Sequence, residues 1–318
     1  MPISTLFGVV RAELEEVERG LAATAQVSDP GLSSFLSLVL PGGGKRVRPA
    51  LALLAGRIGQ PAPDRLLHMA IGVELLHTAS LIHDDVVDDT PRRRGEAALF
   101  TQVGNAVAVL VGDYLFAQSA ARCVATGDLR VIGLFAETLG AMCQGQLDEA
   151  ARPADVHLSL TREAYYQTIW NKTASLFVLA CQGGAILGRL PEEVVQALRQ
   201  YGEGLGLAFQ LVDDILDFVG DEGLLGKPVG HDLRQGTITL PVIYLREELG
   251  NGAFAEAFAA RDLDWIVGLV QRSAAIERCY QEARALAAQA REQLRVAPPG
   301  PVRDSLEELT HFVVARLA

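Results

Sequence analysis

Residues 81–89 read Leu81-Ile82-His83-Asp84-Asp85-Val86-Val87-Asp88-Asp89, and residues 209–217 read Phe209-Gln210-Leu211-Val212-Asp213-Asp214-Ile215-Leu216-Asp217. On a helix, Asp84 and Asp88 are four residues apart and share a face, about 6 Å apart along the axis. Asp213 and Asp217 stand in the same relation, with Gln210 one turn before Asp213. Apolar residues fill the positions between, so both segments read as core helices that carry carboxylates. A solvated helix would interleave lysines with such a run, yet the first cation after residue 81 is Arg92. Carboxylates on core helices need a counter-charge.

Outward from these two runs the pattern stays helical. Alternating apolar and polar strands are nearly absent, and residues 1–25 look amphipathic. Pro41-Gly42-Gly43-Gly44 stops one element, and Pro61-Ala62-Pro63-Asp64 ends another and starts the next. Gly127-Asp128, Arg152-Pro153 and Leu190-Pro191 punctuate later helices, and the glycines of residues 220–236 mark a long loop. No repeat or linker stands out, so the predicted fold class is all-α, one large helical domain over residues 1–318. Between Ala97 and Ala121 the only charged residue is Asp113. That run is long enough to cross a bilayer. Gln102, Gly104, Asn105 and Gly112 interrupt it, and it reads as a central helix buried on all sides, not as a membrane span.

The chain has 318 residues, half of them hydrophobic, and a net charge of −11. Acidity argues against a nucleic-acid partner, which demands basic stripes. Small phosphates are not excluded, because a few local cations suffice for them. Cys123, Cys143, Cys181 and Cys279 form no Cys-x-x-Cys pair and read as reduced thiols. Glu13, Glu15, Glu16 and Glu18 crowd the region where a secretory leader would be apolar, so a cytoplasmic location is expected.

Hard divalent cations supply the missing counter-charge. Mg²⁺ takes carboxylate oxygens, keeps several waters and shares its shell with substrate phosphates. Two clusters facing across a cleft would hold several such ions on one diphosphate. Cationic runs are placed to complete that site: Lys45-Arg46-Val47-Arg48 after a glycine turn, Arg92-Arg93-Arg94, Asn171-Lys172-Thr173 and Gly226-Lys227-Pro228. Together they carry enough charge for two diphosphates, one bridged by metal and one not. Gly44-Lys45 is no P-loop, since Arg46 replaces the hydroxyl residue and Val39 the first glycine. Gly202 to Gly206 follows no strand and is no dinucleotide fingerprint. Glu74-Leu75-Leu76-His77 with Glu308-Leu309-Thr310-His311 suggests a di-iron bundle, but leaves both aspartate clusters unexplained.

In these motifs the chain resembles the trans-polyprenyl diphosphate synthases of the isoprenoid synthase family. The likeness runs from about residue 40 to 245. The glycine–Lys45–Arg48–Pro49 start, His83 to Asp89, Arg93-Arg94-Gly95, Lys172-Thr173, Phe209 to Asp217 and Gly226-Lys227-Pro228 to Leu233 occur in the family's order. The resemblance implies antiparallel helices around a deep central cavity, both aspartate helices at its mouth, and a homodimer. It implies that Asp84, Asp85, Asp88, Asp213, Asp214 and Asp217 form the catalytic clusters with Lys172 and Lys227. Asp84, Asp85, Asp88, Asp213 and Asp217 are the expected Mg²⁺ ligands. It assigns Arg93, Lys172, Thr173, Gln210 and Lys227 to an allylic diphosphate, and Lys45, Arg48, His77 and Arg94 to isopentenyl diphosphate. Two places depart from the family. Thr237 stands where a lysine is frequent, and Gln146 and Glu149 differ from either common pattern, so a supporting role is expected of them.

The expected reaction is ionisation, condensation and elimination, ending in an all-trans polyprenyl diphosphate. Ser80 lies one turn below Asp84 on the same face. Ser80 and Ala79 are small where bulky residues close the cavity of short-chain relatives. The expected product is therefore in the hexaprenyl to decaprenyl range, with Phe135 as a candidate floor. A geranylgeranyl or geranylfarnesyl diphosphate synthase, and a partner-dependent subunit of a hetero-oligomeric synthase, are the alternatives.

Overall fold

Pro63 opens a helix at the one turn where its missing N–H costs nothing, and the helix then runs unbroken to Val87. A second long helix runs from Glu192 to Val219, with Glu192 and Glu193 in its first turn, where the helix dipole favours acid. Both aspartate clusters therefore lie at the C-terminal ends of their helices. That is the end at which the dipole disfavours a carboxylate. Local helix stability does not explain them.

The structure, a computed structural model, describes residues 6–40, 44–93, 96–150, 160–220, 228–250, 254–256, 258, 260 and 262–315. In chain order the helices are α1 (Arg11–Thr24), α2 (Pro30–Val39), α3 (Val47–Arg57), α4 (Pro63–Val87), α5 (Leu99–Val103), α6 (Asn105–Ala125), α7 (Leu129–Ala150) and α8 (Arg162–Ile169). There follow α9 (Ser175–Leu187), α10 (Glu192–Val219), α11 (His231–Arg234), α12 (Leu240–Leu249), α13 (Leu263–Arg272), α14 (Ala275–Gln293) and α15 (Pro301–Ala315). The short helix α11 occupies part of the segment expected to be loop. Strands are confined, among the described residues, to Arg92–Arg93 paired antiparallel with Glu96–Ala97. The all-helical expectation holds.

The helix wrapped on all sides is α9, not the Ala97–Ala121 run. Of α9 only Gln182 escapes burial, and α3, α4, α7 and α10 pack around it. Its glycines permit this: a Cβ on Gly184 would lie 2.3 Å from the Ala52 carbonyl oxygen of α3. The expected central helix became α6, which packs closely on α4 yet leaves Val109, Leu110 and Val124 exposed. Its apolar composition on both faces had signalled full burial, and within this chain only one face is covered. By length and composition both α4 and α6 could cross a membrane. However, α4 carries Glu74, Asp84 and Asp85 and is mostly buried in protein.

Candidate active site

The two aspartate helices end at one cavity of about 810 Å³. Its mouth is lined by Asp84 of α4 and Asp88 just after it, Arg93, Glu149 of α7, Lys172 and Thr173, Gln210, Asp213 and Asp214 of α10, and His231, Asp232 and Thr237. Arg48, His77 and Ser80 line it from another side, and Leu81, Met142, Ile169, Leu176 and Phe209 make apolar wall. Lys172 and Thr173 sit on a π-helical turn, Trp170–Ala174, between α8 and α9. Such turns re-aim side chains and gather at functional sites. Gly145 of α7 lets that turn approach: a Cβ there would meet Asn171 Cβ at 2.8 Å and Lys172 Cγ at 2.8 Å.

The first cluster is electrostatically strained. Burial pushes the Asp84 carboxyl up to about 6, with Asp88 and Glu149 adding to the rise and Lys172 and Arg93 opposing it. Asp85 and Asp88 are raised as well, again by burial first. Asp85 is itself buried, accepts a bond from Arg93 Nε at 2.6 Å, and is not among the cavity-lining residues. It thereby positions Arg93 on the rim. Gln146 Nε2 donates to Asp88 Oδ1 at 3.2 Å. The Lys172 ammonium pairs with Glu149. Burial disfavours that ammonium, but Glu149, Asp84 and Asp88 outweigh the loss and raise its pKa.

The second cluster is held by hydrogen bonds. Asp214 is buried and accepts from Tyr165 Oη at 2.5 Å and from Gln210 Nε2 at 2.8 Å. The Gln210 carbonyl in turn accepts from Thr173 Oγ1 at 2.7 Å. Burial, with the charge of Asp232, drives Asp214 well above the ordinary carboxylate range, while its two donors oppose that rise. Asp213 lines the cavity. Asp217 is buried behind it, where the Asp232 N–H donates to Oδ2 at 3.2 Å. The expected shared face of Asp213 and Asp217 is thus divided between cavity and loop.

On the opposite side Arg48 Nη1 donates to His77 Nε2 at 3.1 Å, and its guanidinium stacks 5.0 Å from the Phe177 ring centroid. Lys45 is exposed, with its ammonium 5.8 Å from the Phe312 ring centroid. Arg94 and Lys227 lie outside the described residues. The di-iron alternative is dismantled by its own residues. Glu74 pairs with Arg46 at 2.6 Å, and Arg291 donates to His311 at 2.7 Å.

Ser80 lines the cavity, its hydroxyl donating to the His77 carbonyl at 2.8 Å. Ala79 is fully buried in the core and Phe135 is also buried, and neither is among the lining residues. Phe135 stands seven residues before Met142 on the same stripe of α7, about 10 Å further along the axis. Tyr165 went unread in the sequence, as did the Glu149–Lys172 pair and its bond to Thr237. The unusual Gln146/Glu149 pattern and the departure at Thr237 pointed to the latter pair, and no sequence signal pointed to Tyr165.

The donor set is hard oxygen throughout, which suits Mg²⁺ or Ca²⁺ and not soft metals. No group of three or more ligating side chains among the described residues is already drawn together. The shell of an ion here must be completed by water and phosphate, as Mg²⁺ prefers.

A family model described as polyprenyl synthetase matches residues 29–262. Heptaprenyl diphosphate synthase component 2 of Geobacillus stearothermophilus is 35% identical over 320 residues, covering 99% of each chain. The crystal structure of a polyprenyl synthase from Caulobacter crescentus CB15, complexed with calcium and isoprenyl diphosphate, matches with TM-score 0.93 and 33% identity over 100% of this chain and 98% of that one. A decaprenyl diphosphate synthase from Rhodobacter capsulatus matches with TM-score 0.91 and 34% identity over 100% of both. The chain belongs to the polyprenyl synthetase family.

Proposed function

We propose that this chain is a divalent-cation-dependent prenyltransferase that adds isopentenyl diphosphate head-to-tail to an allylic prenyl diphosphate. Its product is an all-trans polyprenyl diphosphate in the hexaprenyl to decaprenyl range. The observation that carries this reading is the convergence of two aspartate helices, Arg93 and Lys172 on the mouth of one cavity with apolar walls.

In this reading Arg93, Lys172 and Lys227 grip the allylic diphosphate, and Lys45, Arg48, His77 and Arg94 hold isopentenyl diphosphate. Asp84, Asp88 and Asp213, with Asp85 and Asp217 behind them, would hold Mg²⁺, which would supply positive charge to the departing diphosphate. The allylic C–O bond breaks, and Leu81, Met142, Leu176 and Phe209 keep water from the carbocation. The double bond of isopentenyl diphosphate closes the new C–C bond. A proton then leaves, and the released diphosphate is the base at hand. Neither a covalent nucleophile nor an organic cofactor enters.

Incubation of the purified chain with Mg²⁺, isopentenyl diphosphate and farnesyl or geranylgeranyl diphosphate should give a ladder of products ending beyond geranylgeranyl. Absence of product from the lone chain would favour the partner-dependent reading, supported by a relative named as component 2 of its synthase. The exposed Val109, Leu110 and Val124 on α6 support burial of that face against a second copy of the chain. Sedimentation of the purified protein tests this. Ser80→Phe should shorten the product by filling the cavity just below Asp84, whereas Ala79→Tyr should cost about 1–3 kcal/mol of stability by overpacking a closed core. An unchanged ladder for Ser80→Phe would refute Ser80 as a length determinant.

A further inference from the structure

Arg46 stands between Lys45 and Arg48, the two cations assigned to isopentenyl diphosphate, yet it is not among the residues that line the cavity. Its donors are spent elsewhere. Nε and Nη2 meet the two carboxylate oxygens of Glu18 on α1 at 2.5 and 3.1 Å. Nη1 meets Glu74 of α4 at 2.6 Å, and Nη2 also reaches the Leu40 carbonyl just past the end of α2 at 3.3 Å. One side chain thus ties three helices to the start of α3. Burial disfavours its guanidinium, but Glu18 and Glu74 outweigh that loss and raise its pKa. The backbone at Arg46 is strained: φ is 48° and ψ 35°, the left-handed region that a residue with a side chain rarely adopts. Such a conformation persists only where its surroundings over-determine it. Here the four contacts of the guanidinium do so.

Two rungs join the start of α3 to α4: Arg46 meets Glu74, and Arg48 meets His77 at 3.1 Å. Glu74 and His77 are three residues apart and so are neighbours on one face of α4. The same helix carries Asp84 seven residues beyond His77, about 10 Å along the axis. The register of Arg46 on α4 therefore sets how far Lys45 and Arg48 stand from the aspartates. A misplacement of about 1 Å between reacting groups costs up to about 10²-fold. We infer that Arg46 is a positioning residue, which through Glu18 and Glu74 holds the strained turn that aims Lys45 and Arg48 at isopentenyl diphosphate. The inference rests on the reading of those two cations as ligands of that diphosphate. It also draws α1 into the site. Glu18 lies outside the residues 29–262 matched by the family model, yet it takes both ends of the guanidinium fork.

The test is titration calorimetry of the full-length chain with isopentenyl diphosphate and, separately, with farnesyl diphosphate in Mg²⁺. Arg46→Met should weaken isopentenyl diphosphate by about tenfold or more and leave farnesyl diphosphate within about twofold. Arg46→Met/Glu74→Leu replaces the ion pair by apolar groups, an exchange that cores tolerate. It should keep the melting temperature of the parent and still lose affinity for isopentenyl diphosphate, which a merely structural role would not predict. Glu18 is half-exposed, so Glu18→Ala carries the test should the other variants not fold. It should weaken the same ligand by about threefold. If Arg46→Met weakens binding while Glu18→Ala matches the parent, Arg46 touches the diphosphate itself and the positioning role is refuted. It is refuted as well if both ligands weaken equally or neither does. Arg48→Met reports on the underlying reading. If it weakens isopentenyl diphosphate while the Arg46 and Glu18 variants do nothing, only the positioning fails. If it leaves binding unchanged, the assignment of Arg48 to that diphosphate fails and the positioning with it.

Discussion

The two aspartate clusters share a sequence pattern and differ in how the protein treats them. At the end of α4, Asp84 and Asp88 face the cavity with their pKa values raised first by burial, then by Asp88 and Glu149 at Asp84 and by Glu149 at Asp88. On α10, Asp214 is enclosed and satisfied on both oxygens by Tyr165 and Gln210, and Asp217 accepts a backbone N–H. The first cluster is kept short of counter-charge; the second is built into a hydrogen-bond network. Identical spacing therefore does not imply identical roles. Asp84 and Asp88 stay open to the cavity, as Asp213 does, whereas Asp214 fixes the frame in which Gln210 and Thr173 sit.

That contrast can be broken most directly at Asp84. Asp84→Ala should lower kcat/KM by about 10³-fold, while the melting temperature of the metal-free protein stays level or rises, because an unfavourable buried charge is gone. A clear loss of thermal stability would remove the distinction between the clusters. Asp214→Ala should instead strand the Tyr165 hydroxyl and the Gln210 amide, costing about 1–3 kcal/mol in denaturant unfolding. Activity would fall with it. Tyr165→Phe removes one donor alone. About tenfold lower kcat, with KM for both diphosphates little changed, is expected if Tyr165 acts through Asp214 on the placement of Gln210 and Thr173. An equal rise in KM would place its effect on binding instead.

The smallest effect is on pH dependence. The Asp84 pKa of about 6 lies above the ordinary aspartate value of about 3.9. The folded protein thus holds this proton more tightly than the unfolded chain does. The associated stability is present at low pH and is lost as the pH rises through about 6. Calorimetry of metal-free protein should show the melting temperature falling from pH 4 to pH 7. Asp84→Asn should flatten part of that slope, and Mg²⁺ should restore stability at pH 7. A profile unchanged by Asp84→Asn would show that the strain resides elsewhere.

The motifs carried the family, the all-helical class and most of the mouth of the site in their residue order. Helical spacing brought Asp84 and Asp88 to one face, and Gln210 and Asp213 with them, because the rise per residue is fixed whatever surrounds the helix. The same rule put Asp217 on the face of Asp213 but could not say that it meets the segment of Asp232 there, since whether a helix face meets cavity or loop depends on what packs on it. It also mistook α6 for the central helix. Composition reports how apolar a segment is, and not whether its second face is covered by this chain or by another.

Sequence alone thus determined which chemical groups are present and which of them share a helix: carboxylates for hard cations, forks and ammoniums for phosphate, small residues near the mouth. Tertiary structure decided their pairings. Glu149 and Lys172 belong to different helices, as do Tyr165 and Asp214, and Arg93 meets Asp85 across a turn. Such contacts depend on distances in space set by helix packing, down to the absence of a Cβ at Gly145 and Gly184, and no local periodicity encodes them.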